Sequence, residues 1–229
     1  MTSSEDQLTI ANSLSQGWQK TKANLSVLIP SVLVLALISI VFSTLRSILS
    51  NTGKTGDLSE ANLSMLAVFG ILSLIIFVVE TAVQNLTSIG FTKIQLNILD
   101  DKKAQVSDLF KAHGLFWQYL ATSILVGLIV LGGLLLLIVP GIIWLLKYQF
   151  AMPLVVDKKL DITEAIRTSG EMTKGHKGWL FGLAIVMALV NIAGALLLLV
   201  GLLVTVPLTA MTYIYVYRQL SSNIKVSQK

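Results

Sequence analysis

Three long runs without a charged residue constrain the fold of this chain more than any other feature. They extend over 23 residues from Ala23 to Leu45, over 34 from His113 to Leu146 and over 40 from Gly178 to Tyr217. Each is at least as long as the roughly 20 residues that a helix needs to cross the hydrocarbon core of a bilayer. The runs therefore predict several membrane-spanning helices.

The overall composition excludes a water-soluble globular protein. Of the 229 residues, 54% are hydrophobic and 13% are charged, and the mean hydropathy is +0.79. Soluble domains carry about 25% charged residues, which cover the surface that faces water. Because this chain cannot supply such a surface, the sequence predicts an all-α, polytopic membrane protein.

Two of the apolar stretches are too long for one span. Residues 116–156 would form a helix of about 60 Å, twice the hydrocarbon thickness. We expect helix breaks at Pro140 and Gly141 and at Gly201, with Pro207 as a further breaking residue, because proline lacks an amide donor and glycine tolerates turns. The sequence thus predicts six spans at about 25–45, 63–91, 116–138, 141–156, 179–199 and 202–218, an N-terminal segment 1–22, loops 92–115 and 157–178, and a tail 220–229.

Basic residues are divided unequally between the two sides that six spans create. Of the 17 lysines and arginines, 14 fall on one side, Arg46 and Lys54 fall on the other, and Lys147 lies in a span. The positive-inside rule then predicts a multi-pass protein of the plasma (inner) membrane with both termini in the cytoplasm. The net charge of +5 is explained by this orientation, so nucleic acid is not an expected partner.

Short amphipathic segments on the basic side precede three of the spans, at residues 8–22, 106–116 and 162–177. Each segment is accompanied by a tryptophan, Trp18, Trp117 or Trp179, a residue that favours the headgroup layer. We expect three interfacial helices that lie along the cytoplasmic leaflet with their apolar faces in the membrane.

Anionic membrane lipids are the partners that these segments predict, because lysine and arginine near a leaflet attract negative headgroups. The residues expected to contact headgroups are Lys20, Lys22, Lys102, Lys103, Lys111, Lys158, Lys159, Arg167, Lys174 and Lys177. The sequence does not predict an oligomeric state.

Several stretches between about residues 110 and 220 resemble one family of membrane proteins. They are Ile138–Ile143 (IVPGII), Phe150–Asp157 (FAMPLVVD), Glu164–Ser169 (EAIRTS) and Val200–Pro207 (VGLLVTVP), followed by Tyr217. They are similar to bacterial and archaeal six-span proteins that include the YciC-like proteins and the membrane domain of some glycerophosphodiester phosphodiesterases. The resemblance implies the six-span fold but no assigned chemistry. Since nothing here resembles the metal-binding motifs of the soluble phosphodiesterase barrel, phosphodiester hydrolysis is not expected.

No residue pattern indicates an enzyme, a metal site or a cofactor. The chain has no cysteine, and its two histidines, His113 and His176, have no partner at metal-ligand spacing. No nucleophile with a neighbouring base can be named. The sequence therefore predicts no catalytic residue, no metal and no cofactor.

Glu80 and Lys147 are the only charged residues within the predicted spans, apart from Arg218 at the end of the last one. Each would cost about 2.5–3.5 kcal/mol if it were unpaired in the bilayer. Counted from the predicted cytoplasmic ends of their spans, they lie at similar depths of roughly 16 and 14 Å. We expect an intramembrane polar site in which Glu80 pairs with Lys147 and Asn191 is a third member.

Two functional interpretations follow. In the first, the protein is a non-enzymatic membrane protein that organises lipids or partner proteins through its basic interfacial helices. In the second, it is a small transporter or channel that uses the polar site around Glu80 and Lys147. The pair would set helix register in the first case and relay protons or ions in the second.

Overall fold

The structure is a computed structural model that describes residues 9–52, 60–111, 113–197, 200–222 and 224. Within these ranges the chain is helical and has no strand. The helices are α1 (Ile10–Ala23), α2 (Leu25–Thr52), α3 (Glu60–Leu99), α4 (Phe116–Leu136), α5 (Ile138–Tyr148), α6 (Ala151–Lys158), α7 (Ile162–Met172), α8 (Lys177–Leu196) and α9 (Leu202–Ser222), with 3₁₀ turns at Val106–Phe110 and His113–Leu115.

Five segments of the described chain are long and apolar enough to cross a membrane: Leu25–Asn51, Ala67–Leu99, Phe116–Leu136, Ile138–Lys158 and Lys177–Leu196. The fourth of them contains α5 and α6, which are separated by a short break at Gln149 and Phe150. Helix α9 coincides with the sixth predicted span but is not among the five. Its central residues are buried against the other helices, and the sixth span stays a prediction.

The turn between α4 and α5 lies at Leu137, so the predicted break at Pro140 and Gly141 is wrong by three residues. Leu137 is extended, with φ −166° and ψ 153°. Pro140 lies in the first turn of α5, where a missing N–H costs no intrahelical hydrogen bond. Gly141 serves packing instead, because a Cβ placed on Gly133 would lie 2.9 Å from the Cα of Gly141.

The connection between α8 and α9 contains Gly201, directly before Leu202 begins α9. A Cβ on Gly201 would lie 2.8 Å from the Cα of Gly194, so the two backbones approach closely at this turn. Pro207 was expected to break the last span, but α9 runs through it without interruption. One proline removes a single i→i−4 hydrogen bond, and here the helix continues around it in a buried position.

The three segments expected as interfacial helices differ in structure. Helix α1 packs on α9 through small residues, Ser13, Gly17 and Thr21, and a Cβ on Gly17 would lie 3.0 Å from the Cα of Thr212. The segment 106–116 forms two 3₁₀ turns rather than one amphipathic helix. Helix α7 forms after Asp161 and buries Ala165, Thr168, Ser169 and Met172. A small-residue face favours helix–helix contact, so α1 is part of the bundle.

Packing is tightest at the end of the molecule where α3 and α6 end, α8 begins and α9 ends, which we call the basic end. Phe150, Leu154 and Tyr217 are completely buried there. Toward the opposite end the helices expose apolar side chains, including Leu135 at 81% and Leu196 at 79%. Apolar exposure on this scale is what a surface in contact with lipid requires.

Candidate functional site

The predicted pair of Glu80 and Lys147 is not formed. Glu80 pairs with Arg46 of α2 and accepts a hydrogen bond from Gln84 Nε2 at 3.0 Å. Because α3 continues to Leu99, Glu80 lies about 28 Å along the helix from its end, rather than the roughly 16 Å expected from the sequence. The sequence prediction failed because hydropathy placed the end of the first span at residue 45 and the end of the second at residue 91. The corresponding helices, α2 and α3, both continue past these residues.

Asn191, the expected third member, lies between α8 and α9. Its Nδ2 donates a hydrogen bond to Thr209 Oγ1 at 3.2 Å. It lines a cleft of about 390 Å³ together with Gln95 and Tyr213. The three residues of the predicted polar site therefore lie in three different places.

Lys147 occupies the end of α5, at the surface where α5 meets α7. Its Nζ lies 4.9 Å from the centre of the Tyr148 ring. Gly170 of α7 provides the space for this lysine, since a Cβ at position 170 would lie 3.0 Å from Lys147 Cε. The absence of a side chain on Gly170 thus allows the lysine stem to pass along α7.

Hydroxyl groups from neighbouring helices hold the break between α5 and α6. Ser169 Oγ donates to the carbonyl of Lys147 at 2.9 Å and accepts from the amide of Phe150 at 3.2 Å. Tyr213 donates to the carbonyl of Gln149 at 2.5 Å. In a continuous helix that carbonyl would accept from residue 153, which is proline and has no N–H. Ser169 thereby fixes α7 against the end of α5 and sets the position of Lys147.

A groove of about 640 Å³ lies between α4, α5, α7 and the start of α8, and we call it the basic groove. Its lining combines an apolar wall with several cations. The residues are Leu125, Ile129, Lys147, Tyr148, Thr163, Ile166, Arg167, Gly170, Glu171, Lys174 and Lys177. The volume is in the roughly 300–1,000 Å³ range of small-molecule sites.

Most cations of the basic groove have no acidic partner. Arg167 Nε lies 4.0 Å from Glu171 Oε1, the one acid in the lining. Among the described residues, Lys147, Lys174 and Lys177 have no carboxylate oxygen within 4.0 Å. With four basic residues and one acidic residue, the lining has a net charge of 4 − 1 = +3. The groove is therefore suited to an anion that also has an apolar part.

A second cluster at the basic end, which we call the charge network, is neutralised by the protein itself. Asp157 accepts from Tyr217 at 2.7 Å and from Arg218 Nη1 at 3.1 and 3.2 Å. Arg218 Nη2 also donates to Asp100 at 2.9 Å, and Lys102 pairs with Asp100 at 3.1 Å. The network joins the ends of α3, α6 and α9.

Sequence reasoning missed the charge network, although part of its signal was available. Asp157 and Tyr217 both belong to the stretches that carry the family resemblance. An acid and a tyrosine that directly follow apolar runs at the same membrane side are candidates for pairing. Nothing in the sequence showed that the two helix ends are neighbours.

The ten residues expected to contact headgroups fall into three groups. Lys20, Lys102, Lys111 and Lys158 form ion pairs with aspartates. Arg167, Lys174 and Lys177 line the basic groove. Lys22, Lys103 and Lys159 are exposed and have no ion pair within the described part of the chain. In the first group, the hydrogen bond from Lys111 lowers the pKa of Asp108.

The three tryptophans predicted at the interface, Trp18, Trp117 and Trp179, lie in α1 and in the first turns of α4 and α8. Trp18 is 42% exposed and Trp117 is 77% exposed, whereas Trp179 is partly buried against the core. Because α4 and α8 both start at the basic end, Trp117 and Trp179 are placed where an interfacial aromatic belt would lie.

Comparison with known proteins gives relatives but no activity. No family model and no solved structure matches the chain. The chain is 26% identical over 229 residues to an uncharacterised protein of Mycobacterium bovis and to an uncharacterised protein of Mycobacterium tuberculosis, and the alignments cover 93% of this chain and 69% of each relative. The similarity extends over nearly the whole chain, so it includes the helices that form the basic groove.

Proposed function

We propose that the protein is a non-enzymatic membrane protein that binds anionic phospholipid in the basic groove. The observation that carries the proposal is the set of three lysines, Lys147, Lys174 and Lys177, which have no acidic partner among the described residues and lie beside an apolar wall. Phospholipids combine an anionic phosphate with acyl chains, and the groove offers a complementary surface to each part.

The cations of the groove suit a phosphate in two ways. Lysine supplies a compact positive charge, and arginine supplies a planar set of donors that matches phosphate oxygens. Each basic residue near an anionic leaflet contributes about 1 kcal/mol of attraction. Long lysine side chains also place their ammonium groups at the interface while their stems lie along apolar surface, as Lys147 does beside Gly170.

The proposal includes the topology that the sequence predicts. In it, six helices span the inner membrane, both termini are cytoplasmic, and the basic groove faces the leaflet that is rich in anionic lipid. The unequal distribution of lysine and arginine supports this orientation, and the stretches that resemble the YciC-like family support the six spans. The transporter alternative required a site shared by Glu80 and Lys147, and the structure gives Glu80 a different partner.

A triple variant, Lys147→Gln/Lys174→Gln/Lys177→Gln, tests the proposal. The matched control is Lys22→Gln/Lys103→Gln/Lys159→Gln, which removes the same charge from exposed lysines outside the groove. The purified full chain in detergent is mixed with phosphatidylglycerol or phosphatidylcholine, and lipid binding is measured by native mass spectrometry and by the shift in unfolding temperature.

We expect phosphatidylglycerol to bind and stabilise the unmodified protein and the control, and the groove variant to lose that preference. Equal losses in the two triple variants would contradict a discrete site and leave only general surface charge. Equal binding of the two lipids to the unmodified protein would contradict the proposal directly.

A further inference from the structure

We infer that the basic groove takes a lipid whose headgroup carries at least two negative charges, a selectivity that rests on the lipid-binding function proposed above. The groove has four cations, Lys147, Arg167, Lys174 and Lys177, and one acid, Glu171. The inference concerns which phospholipid is preferred, and it can fail while the general function holds.

The charge of the lining is the first argument. A headgroup with one negative charge would leave two of the three net positive charges uncompensated, and a headgroup with two would leave one. Like charges around one groove repel each other, and solvent screens part of this repulsion because Arg167 and Lys174 are exposed. A second negative charge on the ligand therefore gains attraction and also relieves repulsion among the lysines.

The placement of the cations on separate elements is the second argument. Lys147 lies in the last turn of α5, Arg167 lies in the middle of α7, and Lys177 begins α8, with Lys174 in the connection between α7 and α8. The positive charges thus come from different walls of the groove rather than from one helix face. A headgroup with two negative charges can contact cations on different walls at the same time. A single phosphodiester, with one negative charge, contacts fewer of them.

The apolar wall identifies the ligand as a lipid rather than a soluble phosphate. Leu125 and Ile129 of α4 line the groove and lie about 14 and 20 Å along α4 from its start at the basic end. The groove therefore leads from the cations into the part of the molecule that faces the hydrocarbon. A free phosphate would leave this wall uncovered, whereas an acyl chain covers it.

The shared chemistry of the ligand is two negative charges on phosphate oxygens next to acyl chains. It occurs as one phosphomonoester, in phosphatidic acid at pH 8, and as two phosphodiesters, in cardiolipin. Phosphatidylglycerol, with one phosphodiester, is the comparison lipid. All three are used with oleoyl chains. Phosphatidic acid and phosphatidylglycerol have two chains each and differ only in the headgroup, whereas cardiolipin has four chains.

The experiment titrates each lipid into the full chain in a neutral detergent at pH 8 and measures bound lipid by native mass spectrometry. We expect phosphatidic acid or cardiolipin to reach half-saturation at about fivefold lower concentration than phosphatidylglycerol. Tighter binding of phosphatidic acid would indicate that the groove recognises two charges on one phosphate, and tighter binding of cardiolipin would indicate one charge on each of two phosphates. The preference is expected to disappear in the Lys147→Gln/Lys174→Gln/Lys177→Gln variant and to persist in the Lys22→Gln/Lys103→Gln/Lys159→Gln control.

Three results would overturn the inference. Half-saturation by phosphatidylglycerol at the same concentration as the two other lipids would show that one negative charge is sufficient. Displacement of the bound lipid by inorganic pyrophosphate at equal concentration would show that the apolar wall plays no part. Retention of the preference in a groove variant that unfolds at the normal temperature in lipid-free detergent would place the selectivity elsewhere. Failure of the proposed function has a different signature, in which no anionic lipid binds better than phosphatidylcholine.

Discussion

The charge network and the basic groove lie at the same end of the molecule, but their charges are satisfied in different ways. In the charge network, Asp157 is 13% exposed and is held by Arg218 and Tyr217. In the basic groove, Lys147 and Lys174 have no carboxylate within 4.0 Å in the described structure. The protein supplies the counter-charges in one region, whereas in the other we propose that a bound lipid supplies them.

This difference separates a structural role from a binding role. A partly buried carboxylate that loses its cation is left with an unfavourable charge, so the charge network is expected to fix the relative positions of α3, α6 and α9. Replacing a cation that has no acidic partner is expected to change the free energy of unfolding of the protein only slightly. The two regions therefore predict opposite responses to mutation, and the responses can be measured separately as unfolding temperature and lipid binding.

The largest effect is expected from Arg218→Gln in the charge network. The substitution leaves Asp157 with Lys158 at 3.6 Å and Asp100 with Lys102 at 3.1 Å as their remaining cations, whereas removing the partner of a fully buried charge costs about 3–5 kcal/mol. We expect the lower end of this range, because Arg218 is 28% exposed. Thermal unfolding in detergent measures the loss, and Lys147→Gln is the control that should leave the unfolding temperature unchanged.

The double variant Asp157→Asn/Arg218→Gln sharpens this prediction. If the charges are coupled, the double variant is less destabilised than the sum of the two single variants. Additive losses of stability would mean that Asp157 and Arg218 act independently. The contrast between the charge network and the basic groove would then not be explained by paired and unpaired charges.

A smaller loss of stability is expected from Ser169→Ala, which removes a contact of α7 with the break between α5 and α6. Ser169 is completely buried and bonds both the carbonyl of Lys147 and the amide of Phe150. Thr173 Oγ1 still donates to the carbonyl of Lys147 at 3.2 Å, so the loss falls mainly on the amide of Phe150, and an unsatisfied buried group costs about 1–3 kcal/mol. Since the hydroxyl also holds α7 against α5, we expect weaker binding of phosphatidylglycerol as well.

Ser123→Ala is the matched control for Ser169→Ala. Its hydroxyl donates to the carbonyl of Leu120 in the same helix at 2.8 Å and joins no other element. The control should change neither lipid binding nor the unfolding temperature by a comparable amount. Equal effects of the two substitutions would show that the bridge at Ser169 does not position the groove.

Adding a negative charge to the basic groove, by Thr163→Glu, makes the groove resemble the charge network, where the protein supplies its own counter-charges. Thr163 lines the groove and is exposed in the first turn of α7, where a glutamate is compatible with the helix dipole. We expect about fivefold weaker binding of anionic lipid, which corresponds to one basic residue compensated at about 1 kcal/mol. The unfolding temperature without lipid should stay the same or rise.

Thr163→Gln separates charge from size in this experiment. Glutamine fills the same space without the negative charge, so it should bind anionic lipid as the unmodified protein does. An equal loss in both variants would indicate a steric effect, and the electrostatic contrast between the two regions would not explain binding.

The sequence predicted most helices but misjudged their lengths, and α3 shows why. Hydropathy ended the second span at residue 91, because Lys93 and several polar residues follow. In the structure the helix continues to Leu99, and Ile94, Leu96 and Ile98 are buried against other helices. Hydropathy reports how well a segment suits lipid, so it cannot show where a helix leaves the membrane and enters a packed protein core.

The site residues were recognised individually but grouped incorrectly. Lys147 stood out as a charge within a span, and Arg167, Lys174 and Lys177 as interfacial cations. Depth along a helix, which is what residue counting gives, contains no information about lateral neighbours, so Lys147 was assigned to Glu80. The space beside Gly170 that directs the lysine toward α7 has no sequence signal of its own.

The smallest effect, and the only gain, is expected from Glu171→Gln. Glu171 is the one acid in the basic groove, and its contact with Arg167 at 4.0 Å is largely exposed, so the pair contributes little to folding. Its removal raises the net charge of the lining from +3 to +4 and frees Arg167, and we expect two- to threefold tighter binding of anionic lipid. Glu164→Gln, on the same helix but outside the lining, is the control and should leave binding unchanged. If the two glutamate variants bind lipid equally well, the charge that matters is that of the whole basic end, and the groove is not distinguished from its surroundings.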